Sequence, residues 1–133
     1  LPVPPTITLK REQVGNFKLG DADKELLGTP FVVKPGMGYG RRGVVLDATG
    51  EGDVARSVGQ WSDRHYLLQR RLKPKMNGNE PVYFRVYHVF GEIWICWWNC
   101  FNDRYRLMSK EEETIHHAGA LRELVQRVAK LTG

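Results

Sequence analysis

A lysine followed at once by a glycine-rich loop, between two short apolar runs, is the feature that most constrains the fold of this chain. The first run covers residues 31–34 and ends in Lys34, the loop covers 35–43, and the second run covers 44–46. Two apolar runs around turn-forming residues predict a β-hairpin. Glycines let backbone N–H groups approach an anion closely, and Lys34 places a positive charge beside them. The unit therefore predicts either a phosphate-binding hairpin tip or an ordinary flexible one.

The residues around the glycines of this loop exclude three familiar nucleotide-binding motifs. Gly38, Gly40 and Gly43 have the spacing of a dinucleotide-binding fingerprint, but that motif requires a helix after its glycines, and residues 43–47 predict a strand. In a protein kinase the glycine loop precedes the lysine, whereas here the lysine comes first. The Gly-Lys-Ser/Thr ending of a Walker loop is absent from the sequence.

Composition limits the class of protein. The chain has 133 residues, 41% of them hydrophobic and 26% charged, which suits one compact domain or two small subdomains. No apolar run approaches the roughly 20 residues needed to span a bilayer, so no membrane partner is expected. The net charge of +5 suits phosphate ligands. Because the basic residues are scattered, a solvated surface is favoured over a nucleic-acid footprint.

The cysteines predict a reducing, cytoplasmic environment and no metal site. Cys96 and Cys100 lie in an aromatic stretch, which is typical of buried thiols, and a zinc site would need two further ligands. The chain begins with Leu1 rather than methionine. We therefore expect it to be an excised piece or a processed product.

The residue pattern predicts alternating helices and strands, and so an α+β fold. Helices are expected at 21–27, 51–60 and 109–131, a hairpin at 31–47, and further strands at 65–72, 82–90, 93–98 and 105–108. The turn-rich segment 73–81 predicts a boundary between two subdomains, 1–72 and 73–133. The helix at 51–60 is expected to bury Val54, Ala55 and Val58. The last helix is expected to begin with a capping box at Ser109 and to bury Ile115 and Ala118.

The strand at 93–98 is apolar on both of its faces. Ile93, Ile95 and Trp97 share one face, while Trp94 and Trp98 lie on the other. A strand of this kind is expected to be covered on both sides, and the alternative is that one face lines a ligand cavity.

Four segments, in the same order, resemble the ATP-grasp superfamily in its glutathione-synthetase-like form. They are the strand and Lys-Pro pair at 27–35, the glycine loop through Val44, the strand and adenine hinge at 66–72, and the arginine-containing strand at 83–92. The resemblance implies two small α+β subdomains with antiparallel sheets and a nucleotide cleft between them. It also implies ATP as cofactor.

The resemblance further implies a parent enzyme that joins a small-molecule carboxylate to an amine or thiol. Such ligases use ATP to convert the carboxylate to an acyl phosphate. They hold Mg²⁺ on strands that follow a helix like 109–131, and this chain ends before them. We therefore expect a truncated ATP-binding portion that is inactive alone, with its Mg²⁺ ligands outside this chain.

Site residues follow from the resemblance position by position. Lys34 is expected to bind the α- and β-phosphates, Gln69 stands where the family has a glutamate beside the adenine amino group, and Arg85 is expected to act catalytically at the acyl phosphate. The other implied contacts are the phosphate lid at Gly38, Tyr39, Gly40 and Arg41, the adenine hinge backbone at Arg70 and Leu72, and a ribose contact at Glu80.

The adenine slot and the role of Arg85 can also be argued from the residues themselves. An adenine ring needs an apolar slot with polar groups at its edge, and Phe31, Val33, Leu68 and Leu72 are expected to line it. For Arg85, the alternative is a structural ion pair with an acid such as Glu92.

The sequence is also compatible with two other classes of protein. The aromatic residues and positive charge permit an RNA- or single-stranded-DNA-binding module, which would require exposed rings; the apolar strand at 93–98 argues against it. The third possibility is a structural domain in which the glycine loop is only a turn.

Overall fold

The chain has an α+β architecture with two four-stranded antiparallel sheets. The structure is a computed structural model that describes residues 3–99 and 101–132; Cys100, expected to be a buried thiol, lies outside them. Two compact units meet in sequence at Leu72 and Lys73. Among the described residues, no helix has the length and apolar composition needed to cross a membrane.

The first unit contains a sheet in the strand order β1-β4-β2-β3. Its elements are β1 (Thr6–Lys10), a short 3-10 helix (Arg11–Asn16), α1 (Asp21–Leu27), β2 (Phe31–Pro35), β3 (Val45–Ala48), α2 (Glu51–Gln60) and β4 (His65–Arg70). The predicted hairpin and both predicted helices are confirmed. Local patterns found these elements because caps, turns and periodicity depend on neighbouring residues.

The core of the first unit lies between its sheet and the helices. Phe31, Val33 and Leu68 point to one side of the sheet, where they pack with Leu27 of α1 and Val54 of α2. An adenine slot lined by Phe31, Val33 and Leu68 is therefore wrong, because these side chains are buried in the core.

Helix α2 uses a different buried face from the predicted one. Val54 is buried as expected, but Ala55 is exposed and Val58 only half-buried. Ser57, three residues after Val54, is fully buried instead. The buried face therefore includes a hydroxyl, whose hydrogen bond contributes to the candidate site.

The second unit contains a sheet in the strand order β5-β6-β7-β8. Its elements are β5 (Lys75–Asn77), β6 (Glu80–Val89), β7 (Glu92–Asn99), β8 (Arg104–Leu107), α3 (Lys110–Ile115) and α4 (Gly119–Thr132). Ile93, Ile95 and Trp97 form a buried cluster against which Leu121 and Val125 of α4 pack.

Strand β7 is covered on one face only, so the expectation of cover on both sides is wrong. The indole of Trp94 is 49% exposed, whereas Ile95 beside it is fully buried. The helix residues of the buried cluster pack on the face of Ile93, Ile95 and Trp97. Alternation along the strand then turns Trp94, Cys96 and Trp98 to the helix-free face.

The single helix predicted at 109–131 is also wrong, because the chain leaves helical geometry between α3 and α4. His117 has a left-handed φ of +51°. Ile115, expected in the core, is 70% exposed, while Ala118 is fully buried. The guanidinium of Arg122 bonds the Ile93 carbonyl (2.8 Å) and the Glu113 carboxylate, contacts that join β7, α3 and α4. The capping box at Ser109 is confirmed.

Candidate functional site

Lys34 and Gln69, predicted to serve one ligand, meet on the helix-free face of the first sheet. The Lys34 ammonium donates to Gln69 Oε1 at 2.9 Å, and Gln69 Nε2 donates to the Thr6 hydroxyl at 2.9 Å. Thr6 in turn donates to the Pro4 carbonyl at 2.8 Å. Three neighbouring strands therefore hold the Lys34 side chain through a row of hydrogen bonds.

The hydrogen-bond partner of Lys34 is neutral, so it does not offset the lysine's charge. A carboxylate at position 69 would form an ion pair with Lys34 and offset much of the positive potential at this face. The Gln69 amide oxygen orients the ammonium without neutralising it. Lys34 is half-buried, so its field is screened less than that of a fully exposed lysine.

Both ends of the glycine-rich loop are anchored to the scaffold. At its start, the Met37 N–H donates to Asp63 Oδ2 at 2.6 Å, a bond that holds the pKa of the Asp63 carboxyl below its ordinary value. At its end, the buried Ser57 hydroxyl donates to the Gly43 carbonyl. These two contacts restrain the ends while residues 38–42 stand exposed between them.

The middle of the loop has the left-handed geometry that glycine favours. Gly40 and Arg41 have φ values of +59° and +62°. The Arg42 N–H closes a turn here by donating to the Tyr39 carbonyl at 3.2 Å. Turn conformations are among those in which successive backbone N–H groups bind anions. Tyr39 is 81% exposed, and the Arg42 guanidinium lies 5.5 Å from the centre of the Trp61 ring.

Part of the predicted adenine hinge is already hydrogen-bonded within the protein. The Arg70 N–H donates to the Pro5 carbonyl at 2.9 Å, so this amide is engaged within the fold. The Arg70 guanidinium donates to the Leu26 carbonyl at the end of α1 at 2.8 Å. The hinge contact predicted for the Arg70 backbone stays a prediction, and in this structure the Arg70 N–H already has a partner. Leu72 is 56% exposed just after β4, and its hinge role stays a prediction.

Glu80 and Arg85 lie on opposite faces of the second sheet. Both belong to β6, and their separation of five residues turns their side chains to opposite sides. Glu80 borders a pocket of about 340 Å³ together with Val82, Trp97 and Arg106. A single ligand on one face of this sheet cannot contact both predicted residues.

Arg85 is surrounded by aromatic rings. Its guanidinium lies 5.0 Å from the ring centre of Trp98, 5.5 Å from that of Tyr105 and 5.7 Å from that of Tyr87. It also donates to the Tyr105 hydroxyl at 3.2 Å. Within the described part of the chain it has no ion pair with Glu92, so that alternative is not formed.

Sequence reasoning missed Asp63, Ser57 and Thr6, which position the loop and Lys34. Their partners are 26, 14 and 63 residues away in sequence, so no local pattern points to them. The opposite orientation of Glu80 and Arg85 did have a signal, because an odd separation within one strand predicts opposite faces.

Within the part of the chain that the structure describes, no metal-ligand group accompanies Lys34 and Gln69. Across residues 3–99 and 101–132, no three His, Cys, Asp or Glu side chains come together in an arrangement able to hold a metal ion. Comparison of the sequence with models of protein families and with curated proteins gives no match. Functional assignment therefore rests on the geometry of Lys34, Gln69 and the anchored loop.

Proposed function

We propose that the first unit binds the phosphates of ATP, and that the chain is the nucleotide-binding portion of an ATP-grasp ligase-type enzyme of the cytoplasm. Lys34 would bind the phosphates, and the loop amides of residues 38–41 would close over them. Gln69 would orient Lys34 and contact the adenine edge. The acid activated through an acyl phosphate would belong to the whole enzyme, together with its amine or thiol acceptor.

The observation that carries the proposal is the hydrogen bond between Lys34 and Gln69 on a helix-free sheet face, directly before an anchored glycine loop. A positioned cation beside exposed backbone amides is the arrangement that phosphate groups require. The described residues do not offer the carboxylate set that Mg²⁺ prefers, so no chemical step is assigned to them.

Replacement of Lys34 by methionine is expected to weaken ATP binding about tenfold or more, because a charge-assisted hydrogen bond contributes roughly 1.5–3 kcal/mol. Titration with ATP by calorimetry, together with NMR shifts of the loop amides, measures the effect. Lys18→Met is the matched control, because Lys18 is an exposed lysine in the same unit. Equal loss in both variants, or no ATP response in the unaltered chain, contradicts the proposal.

The Gln69→Glu variant is expected to bind ATP a few-fold more weakly, even though it resembles the family residue more closely. A carboxylate here would pair with Lys34 and repel the phosphates, whereas adenosine binding would change much less. Parallel titrations with ATP and adenosine separate the two effects. Unchanged or tighter ATP binding would show that the charge of Lys34 is not directed at phosphate.

A further inference from the structure

The helix-free face of the second sheet is aromatic and has an arginine at its centre. Three neighbouring strands contribute the rings of what we call the aromatic–arginine face, namely Tyr83 and Tyr87 from β6, Trp94 and Trp98 from β7, and Tyr105 from β8. Trp94, Tyr105 and Tyr87 are 49%, 46% and 38% exposed. So much accessible ring surface in one place is typical of a binding surface.

The guanidinium of Arg85 is oriented by rings rather than by an acid. Of its described contacts, three are with aromatic faces and one is the bond to the Tyr105 hydroxyl, so no carboxylate of the described residues neutralises it. An arginine held in this way keeps most of its N–H groups for a planar anion. Carboxylates accept two parallel N–H bonds from such a group.

Trp98 contributes to the same face a donor that has no partner among the described residues. Its Nε1 atom is buried and has no hydrogen-bond partner among the described residues. Its ring stacks with Tyr105 at a centroid distance of 6.1 Å and an interplanar angle of 10°. Because a buried N–H without an acceptor is costly, the NMR signal of this indole reports on any acceptor that reaches it.

The charge on this face selects a small ligand over a nucleic acid. Strand alternation places one cation of β5–β8 here, Arg85, within the described residues. Lys75 lies over the Phe84 ring and Arg106 bonds Glu112, both on the opposite face. Single-stranded nucleic acids require a row of cations along their backbone in addition to stacking rings.

We propose that the aromatic–arginine face binds a small aromatic carboxylate. The carboxylate pairs with the Arg85 guanidinium, and the ligand's ring packs against the exposed rings of Trp94 and Tyr87. The site belongs to the second unit and does not depend on ATP binding by the first.

Three probe molecules distinguish the contribution of the ligand's aromatic ring from that of its carboxylate. The 133-residue protein is titrated with 2-naphthoate, which has both ring and charge, with cyclohexanecarboxylate, which lacks the aromatic ring, and with 2-naphthamide, which lacks the charge. We expect 2-naphthoate to bind at least tenfold more tightly than either of the others. We also expect it to shift the NMR signal of the Trp98 indole N–H, assigned with Trp98→Phe.

Variants locate the binding on this face. Arg85→Gln and Trp94→Leu are each expected to weaken 2-naphthoate binding about tenfold, and Arg85→Lys to restore little of the loss, since an ammonium lacks the planar fork. Arg127→Gln is the matched control, because Arg127 is an exposed arginine of α4. Unchanged amide spectra outside the face verify that each variant is folded.

Three results would overturn the proposal. One is equal binding of all three probes. Another is loss of 2-naphthoate binding in Lys34→Met but not in Arg85→Gln, which would place the ligand on the first unit. The third is tighter binding of oligo-dT with a steep salt dependence that Arg85→Gln abolishes, because this would identify the face as a nucleic-acid surface. ATP binding by the same variants is measured separately, so the two proposals fail independently.

Discussion

Replacement of Gly43 by alanine is expected to lower the free energy of unfolding of the first unit by about 3 kcal/mol. Gly43 has a φ of +71°, which costs an alanine about 1 kcal/mol. An added Cβ would also lie 2.7 Å from Trp61 Cβ, 2.9 Å from Pro35 Cγ and 3.2 Å from the Ser57 carbonyl oxygen. The Pro35 ring and the Ser57 backbone cannot rotate away from the new methyl group. The crowding therefore adds about 2 kcal/mol to the destabilisation by displacing the end of the loop.

Gly40→Ala is the matched control for this effect. Gly40 has a similar φ of +59°, but no atom of the described residues lies within 4 Å of its added Cβ. Gly40→Ala should therefore lower the free energy of unfolding by only about 1 kcal/mol. Urea unfolding followed through NMR signals of each unit measures both variants, since two units need not unfold together. Equal destabilisation by the two substitutions would show that the Gly43 contacts relax without cost.

Replacement of Glu112 by glutamine is expected to destabilise the second unit by about 2 kcal/mol. The Glu112 carboxylate accepts bonds from Trp97 Nε1 at 3.0 Å, from the Ser109 N–H at 2.9 Å and from the Arg106 guanidinium at 2.7 Å. An amide removes the negative charge and keeps only one acceptor oxygen. Its NH2 group would therefore face either the Trp97 indole or the Ser109 N–H, and that donor would lack an acceptor.

The same carboxylate predicts an acid-sensitive step in stability. The bonds from Arg106 above all, and then the Ser109 N–H, lower the pKa of Glu112 from 4.5 to about 2. A carboxyl whose pKa is lower in the folded state stabilises the fold fully above its unfolded pKa. That contribution is lost as the pH falls from about 4.5 toward 2. Wild type and Glu112→Gln should therefore differ most above pH 4.5 and converge below it.

Glu111→Gln separates the Arg106 and Trp97 contacts of Glu112 from the general effect of an acid at the helix N-terminus, where Glu111 also hydrogen-bonds the Ser109 side chain. Glu111 is exposed in the same first turn of α3, so its loss removes a similar favourable interaction with the helix N-terminus. Urea unfolding of the three proteins at several pH values gives the comparison. A constant difference between wild type and Glu112→Gln across pH 2 to 4.5 would contradict the role given to the charge.

Much of the secondary structure could be predicted because its causes are local. The helices at 21–27 and 51–60 have the predicted bounds, and the Ser109 capping box was visible in four consecutive residues. The break in the helix at His117 was not visible in the sequence, because apolar residues recur at nearly continuous helical spacing over 109–131. Contacts of Arg122 with β7 and α3 exist only in the folded chain.

The candidate site was predictable as a set of residues but not as an arrangement. Lys34 and Gln69 were selected separately, and their hydrogen bond joins strands 35 residues apart. Phe31 and Val33 were placed on the ligand side although they face the core, because a hydrophobic run does not indicate which side of a sheet the helices cover.

By itself the sequence determined most of the strands, the starts of α1, α2 and α3, the position of Lys34 before its glycine loop and the α+β class. These depend on backbone preferences and on periodicity within a few residues. Only the tertiary structure decided that Trp94 and Arg85 lie on a helix-free face, and that Ser57 and Asp63 anchor the loop. Because both faces of β7 are apolar, the sequence did not indicate which face is buried. The packing of α4 on the face of Ile93, Ile95 and Trp97 decides it, and that packing joins segments distant in the chain.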